Sequence, residues 1–180
     1  MSDLTITNAG ISVTKKTGGE VLSNNKKLNQ MKVDVIDVTL TTTVATHSSG
    51  DVLAANIEIP NAVAVKGGSA IIQSVTLLDK DDEGPVVDLI FQSDNTALGS
   101  VGSAVSISED DAEDILGFVS VSDYSDLINS QVAVKNNIGL VVKAASTTRS
   151  IFVSAVKRGS ANYGPGATTD LKLKIGIVQD

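Results

Sequence analysis

The sequence predicts an all-β chain folded as a β-sandwich of jelly-roll type, with one short helix near residues 109–116. Three observations predict it. Runs of β-branched residues with a period of two recur along the chain, separated by Gly, Pro, Asn and Asp. Helical periodicity does not repeat, so the βαβ units of a parallel sheet have no source. The 180 residues are 42% hydrophobic but only 3% aromatic, which supplies an aliphatic two-sheet core for a chain of this size.

Residues 1–30 are more polar, with KKTGG and SNNKK clusters, and are expected to be an extended arm or weak edge strands before a sandwich domain over 31–180. From Met31 to Thr46 the apolar positions change parity, from Val33 and Val35 to Ile36, Val38 and Leu40. That change predicts a bulge in one long strand. Further strands are expected at 52–59, 62–65, 70–78 and 86–92. The last two flank DKDDEGP, whose acids, Gly84 and Pro85 are turn chemistry. In SISEDDAEDILGF, Ser108 is placed to cap a helix with three acids in its first turn. Ala112, Ile115 and Leu116 then supply its apolar face, and Gly117 is placed to stop it. Strands resume at 118–121, 131–134, 138–145 and 150–156, with Asn136-Asn137 expected as a tight turn. In the final strand Leu171, Leu173, Ile175 and Ile177 alternate with Lys172, Lys174 and Gly176, so the lysines face solvent or an acidic partner.

Composition removes several chemistries. The chain has no cysteine and one histidine, which excludes disulfides, thiolate metal sites and thiol catalysis. No apolar run approaches the roughly 18 residues of a membrane-spanning helix. The N-terminus MSDLTITNAG lacks the basic and apolar regions of a secretory signal. A net charge of −7 argues against nucleic acid as a direct partner. The charge is also segregated. Asp79 to Asp126 contains thirteen acids and the single base Lys80, a net −12, while the remainder has eight acids and thirteen bases, a net +5. Charge runs usually mark solvated turns, but the same polarity suits docking between neighbouring molecules.

Local motifs point only faintly to chemistry. Asp79, Asp81, Glu83 and Gly84 match positions one, three, five and six of a calcium loop, but position twelve is Ile90 where a bidentate Glu belongs. A hairpin loop is the stronger expectation, with Asp79, Asp81 and Glu83 as weak metal-ligand candidates. His47 precedes Ser48-Ser49-Gly50-Asp51 without a nucleophile elbow and reads as a surface loop histidine. Tyr163, in NYGPG, is either an interface anchor or a lid packed over its own loop. Neither phosphate-binding glycine motif occurs.

From about Ile57 to Val178 the chain resembles small head proteins of tailed bacteriophages, of the decoration or cement type. The resemblance is carried by IQSVTLLDKDD (72–82), VDLIF (87–91), Ser106-Ile107-Ser108 through Ile115-Leu116-Gly117, NIGLVVKA (137–144) and the strand from Leu171 to Ile177. It implies a structural protein on the outside of an icosahedral shell, often a trimer, with no catalytic residue and no cofactor. Its partners would be the major capsid protein and its own copies, with Lys172, Lys174 and Tyr163 as interface candidates. Its location would be the virion exterior, after assembly in the host cytoplasm. Two other classes remain open: a carbohydrate- or cation-binding sandwich module, and a small hydrolase using paired carboxylates.

Overall fold

A computed structural model of the chain describes strand backbone at residues 4–8, 11–15 and 21–23, and residues 32–179 throughout. The chain divides into two units. The first holds β1 (Leu4–Asn8), β2 (Ile11–Lys15) and β3 (Val21–Ser23), paired antiparallel in that order. Met31, expected to open the first long strand, lies outside the described residues.

The second unit is a jelly roll. Its strands are β4 (Lys32–Leu40), β5 (Val52–Ile59), β6 (Ser69–Asp79), β7 (Val87–Gln92), β8 (Ile115–Val121), β9 (Tyr124–Asp126), β10 (Gln131–Lys143), β11 (Ile151–Lys157) and β12 (Leu171–Gln179). They form a five-stranded sheet, β4-β12-β6-β10-β9, and a four-stranded sheet, β5-β11-β7-β8. The first strand of the unit pairs with the last (β4 with β12), and then β5 with β11, β6 with β10 and β7 with β8. That is one long antiparallel ribbon rolled across two sheets, the arrangement that defines the jelly roll.

The inner faces meet in one aliphatic core. Leu171, Leu173, Ile175 and Ile177 of β12 are buried and face Leu89, Phe91 and Val153 of the other sheet within the same cluster. A second, smaller core lies on the outside of the four-stranded sheet. There the connection from β7 to β8 folds back, so that Leu98, Val101 and Ile107 pack on Val52, Ile90 and Val156. Polar bonds hold this flap: Ser93 Oγ and Thr96 Oγ1 donate to the Asp114 carboxylate at 3.1 and 2.5 Å, and Gln92 Nε2 donates to Thr96 O at 2.6 Å.

Several elements differ from the sequence reading. β4 runs in unbroken register with β12 and carries no bulge. Val33 and Val35 instead point outward, away from Ile36, Val38 and Leu40. Residues 62–65 form no strand, although Ala62 and Val63 still reach the core from a loop. The helix α1 is a single turn, Glu109–Ala112, with Ser108 Oγ accepting from Asp111 N at 3.1 Å. Ile115 and Leu116, expected on the helix, open β8, because Ile115 pairs with Gln92 and Gly117 with Phe91, with Leu116 at the register shift between them. Gly117 lies inside β8 at φ +148°, a conformation that side chains rarely adopt, which favours glycine at this position of the strand. Asn136-Asn137 is not a hairpin but the start of a bulge in the continuous strand β10, with Asn137 at φ +57°.

One buried charge sits at the end of β11. Lys157 is almost fully enclosed, and its Nζ donates to the Arg158 carbonyl. Burial pushes the ammonium below its ordinary value. The folded chain therefore releases this proton before the unfolded chain does, and stability rises with pH in the interval below about 10.5. Lys157→Met is expected to stabilise the chain by about 1 kcal/mol at neutral pH. It should also abolish that rise, as read by urea unfolding at a series of pH values.

Candidate functional site: the acidic loop and its clasp

β6 ends in Asp79, a buried carboxylate at the mouth of the 80–86 loop. A buried carboxylate needs donors on every face, and the loop curls to supply them. Asp79 Oδ1 accepts from Asp81 N at 3.1 Å, and Oδ2 accepts from Glu83 N at 3.0 Å and Gly84 N at 2.8 Å. The tight path takes Asp82 and Gly84 to positive φ. A fourth donor arrives from far along the chain, the Tyr163 hydroxyl at 3.2 Å.

The other two acids face outward from this turn onto the loop that carries Tyr163. Asp81 Oδ2 accepts from Gly166 N at 2.8 Å, and Glu83 Oε2 accepts from Gly164 N at 3.0 Å. Lys80 N donates to Asp170 O at 3.2 Å. Two further side chains close the opposite flank: Tyr124 OH donates to Pro85 O at 2.8 Å, and Gln131 Nε2 to Asp82 O at 2.9 Å. Burial, reinforced by the Asp79 charge, pushes both the Tyr124 and the Tyr163 hydroxyls well above the ordinary tyrosine value.

The 80–86 loop is not the expected hairpin, because β6 and β7 lie in different sheets and it crosses between them. Asp79, Asp81 and Glu83 do not converge on a common point. Each is engaged by backbone N–H groups, which take the role a cation would play. Among the described residues no group of three or more His, Asp or Glu is gathered so as to hold a metal ion. Ile90, at the twelfth position, lies in β7 beneath the flap.

Tyr163 is corrected as an exposed anchor. It is enclosed in the core, so it packs over its own loop. Its backbone pairs with His47: His47 N donates to Tyr163 O at 2.7 Å, and Tyr163 N to His47 O at 3.0 Å. His47 is therefore not a surface residue either. It is fully buried, with Nε2 3.1 Å from Thr43 O and 3.2 Å from Thr43 Oγ1. Asp51 caps the same turn by accepting from Ser48 N at 2.7 Å.

Lys172 and Lys174 stand on the outer face of the five-stranded sheet, beside a shallow cavity of about 260 Å³. Lys172 Nζ donates to Thr39 Oγ1 at 2.6 Å. Lys174 pairs with Asp37 at 2.8 Å, so its acidic partner is in its own chain, on the neighbouring strand.

The sequence reading missed what lies beside them. Register places Val33, Val178, Ile71 and Val141 in one row across β4, β12, β6 and β10. Val33 is 72%, Val35 61% and Val141 62% exposed. Unlike the four-stranded sheet, this outer face has no flap among the described residues. The signal was present in β4, where Val33 and Val35 share the parity of Asp37 rather than that of Leu40.

No family model matches the chain, and no curated protein matches it. A chain in the structure of infectious bursal disease virus, Gx strain, is similar to it at 11% identity, over 93% of this chain and 42% of that one, with a TM-score of 0.19. This chain thus spans less than half the length of that one, and a likeness so low carries no argument about fold or function.

Proposed function

We propose that the chain is a structural virion protein that binds the outer surface of an icosahedral phage capsid and stabilises it, acting as a homo-oligomer, in the expected form a trimer. The observation that carries this reading is the asymmetry of the sandwich. One sheet has its outer face covered by the chain's own flap, while the other presents an aliphatic row in register across four strands, half-exposed at Val178 and Ile71 and exposed at Val33 and Val141. A contiguous apolar surface of that kind suits a protein partner. The ordered resemblance to phage decoration proteins supplies the partner's class, the major capsid protein. The engagement of Asp79, Asp81 and Glu83 by backbone amides weighs against the cation-binding module.

The test is to mix the purified chain with shells of its virion stripped of it, pellet them, and measure survival of heat and osmotic shock. Co-sedimentation and increased resistance are expected. Val35→Glu combined with Val141→Glu should weaken binding by at least about tenfold while leaving the melting temperature nearly unchanged, since both side chains are already solvated. Absence of any shell binding by a folded wild-type protein would overturn the reading.

A further inference from the structure

We propose that copies of this chain join head to tail, with the Leu127–Ile128 tip of one copy seated in the pocket between Lys66 and Lys143 of the next. The inference deepens the reading above, since it rests on the protein working as an assembly of its own copies.

The tip is the turn between β9 and β10. Leu127 is 54% and Ile128 83% exposed, the latter among the most exposed large aliphatics described. Ile128 also holds φ at +78°, a region that a side chain branched at Cβ rarely enters. The turn is fixed in this shape: Ile128 N donates to Asp126 Oδ1 at 2.6 Å, and Leu127 N to Ser130 O at 2.8 Å. Strain held in place to display two apolar side chains to water serves nothing inside the monomer, but it presents a preorganised contact.

The pocket lies at the other end of the same strand. It has a volume of about 580 Å³, with Leu116, Ala144 and Ala145 among its lining and Lys66 and Lys143 at its rim. Among the described residues neither lysine is in an ion pair. Asp114, which bonds the pocket's Ser93, is occupied by Ser93 and Thr96. The tip carries the opposite sign through Asp126 in its turn, since Asp123, just before β9, is already paired with Lys135 at 2.8 Å. The apolar tip with Asp126 beside it, and the pocket lined by Leu116, Ala144 and Ala145 with two lysines unpaired among the described residues, are thus complementary. They cannot meet within one molecule, because the thirteen residues of β10 separate them by about 40 Å. A contact between unlike surfaces is heterologous, and it closes into a ring when the rotation per step allows.

The experiment is light scattering on the full chain over a concentration series. The wild type is expected to self-associate. Ile128→Gly should weaken association by at least about tenfold without lowering the melting temperature, because glycine adopts positive φ freely. Lys66→Glu with Lys143→Glu, and Asp126→Lys, should each impair association alone, and all three changes combined in one chain should restore it. The proposal is overturned if Ile128→Gly assembles like the wild type, or if the combined charge variant recovers nothing. It is likewise overturned if the wild type stays monomeric at its highest soluble concentration. A monomer that still binds and protects shells defeats only the head-to-tail contact. An assembling protein that ignores shells defeats only the virion reading.

Discussion

Replacing Asp79 by alanine is expected to cost about 3–5 kcal/mol, a large fraction of the stability of a domain this size. The cost does not come from lost packing, because the side chain is small. It comes from four donors left without an acceptor: the amides of Asp81, Glu83 and Gly84, and the Tyr163 hydroxyl. Asp79→Asn is expected to fall between, at about 2–3 kcal/mol. Whichever way the amide is turned, its NH₂ faces donors on one side. Urea unfolding measures both, and limited proteolysis should cut first within 80–86, where the curl loses its centre. Added calcium distinguishes this account from a metal loop. It should leave the wild-type midpoint unchanged and rescue neither variant, whereas a calcium-dependent rise in the wild type would restore the metal reading.

The strands were legible because their physics is local. β12 alternates aliphatic residues with Lys or Gly from Leu171 to Ile177, and its buried and outward positions follow that alternation. Even the flanking turns were marked by Gly, Asn and Asp. What was not legible depended on partners distant in sequence. Ile115 and Leu116 fit a helix face as well as a strand, and only pairing with β7 decides between them. Asn136-Asn137 has the chemistry of a tight turn, but β6 continues past it and captures the strand on both sides. His47 and Tyr163 are polar residues in polar loops, which is why each could be read as exposed. They are buried because the two loops pair backbone to backbone, 116 positions apart in sequence.

The charge segregation needs the same correction. Of the thirteen acids between Asp79 and Asp126, several are internal fasteners rather than a docking face. Asp79, Asp81 and Glu83 hold two loops together, Asp114 holds the flap, and Asp88 pairs with Arg158 at 2.7 Å. The acids left for a partner are fewer, and Asp126, in the turn that displays Ile128, has one carboxylate oxygen engaged by Ile128 N. Sequence composition registers charge without showing what it is bonded to. A net −12 therefore overstates the negative surface this segment offers.

The same clasp makes the fold sensitive to alkali. Tyr124 and Tyr163 both donate their hydroxyl protons into the acidic loop, to Pro85 O and to Asp79. Burial and the Asp79 charge raise both above the unfolded tyrosine value, which is about 10. Their contribution is therefore whole below pH 10 and is lost as pH rises, because only the unfolded chain releases these protons. Each tyrosine then costs about 1.4 kcal/mol per pH unit, so two of them cost about 5 kcal/mol between pH 10 and 12. That is enough to unfold an ordinary domain. The measurement is best made in the Lys157→Met background, which removes the opposing lysine titration. Tyr163→Phe should lose about 1–2 kcal/mol at neutral pH for the missing bond to Asp79, yet halve the alkaline slope, so its stability curve crosses that of the parent near pH 11. A slope unchanged by Tyr163→Phe would mean that its hydroxyl already titrates freely in the folded chain, and that the buried bond to Asp79 does not hold the loop.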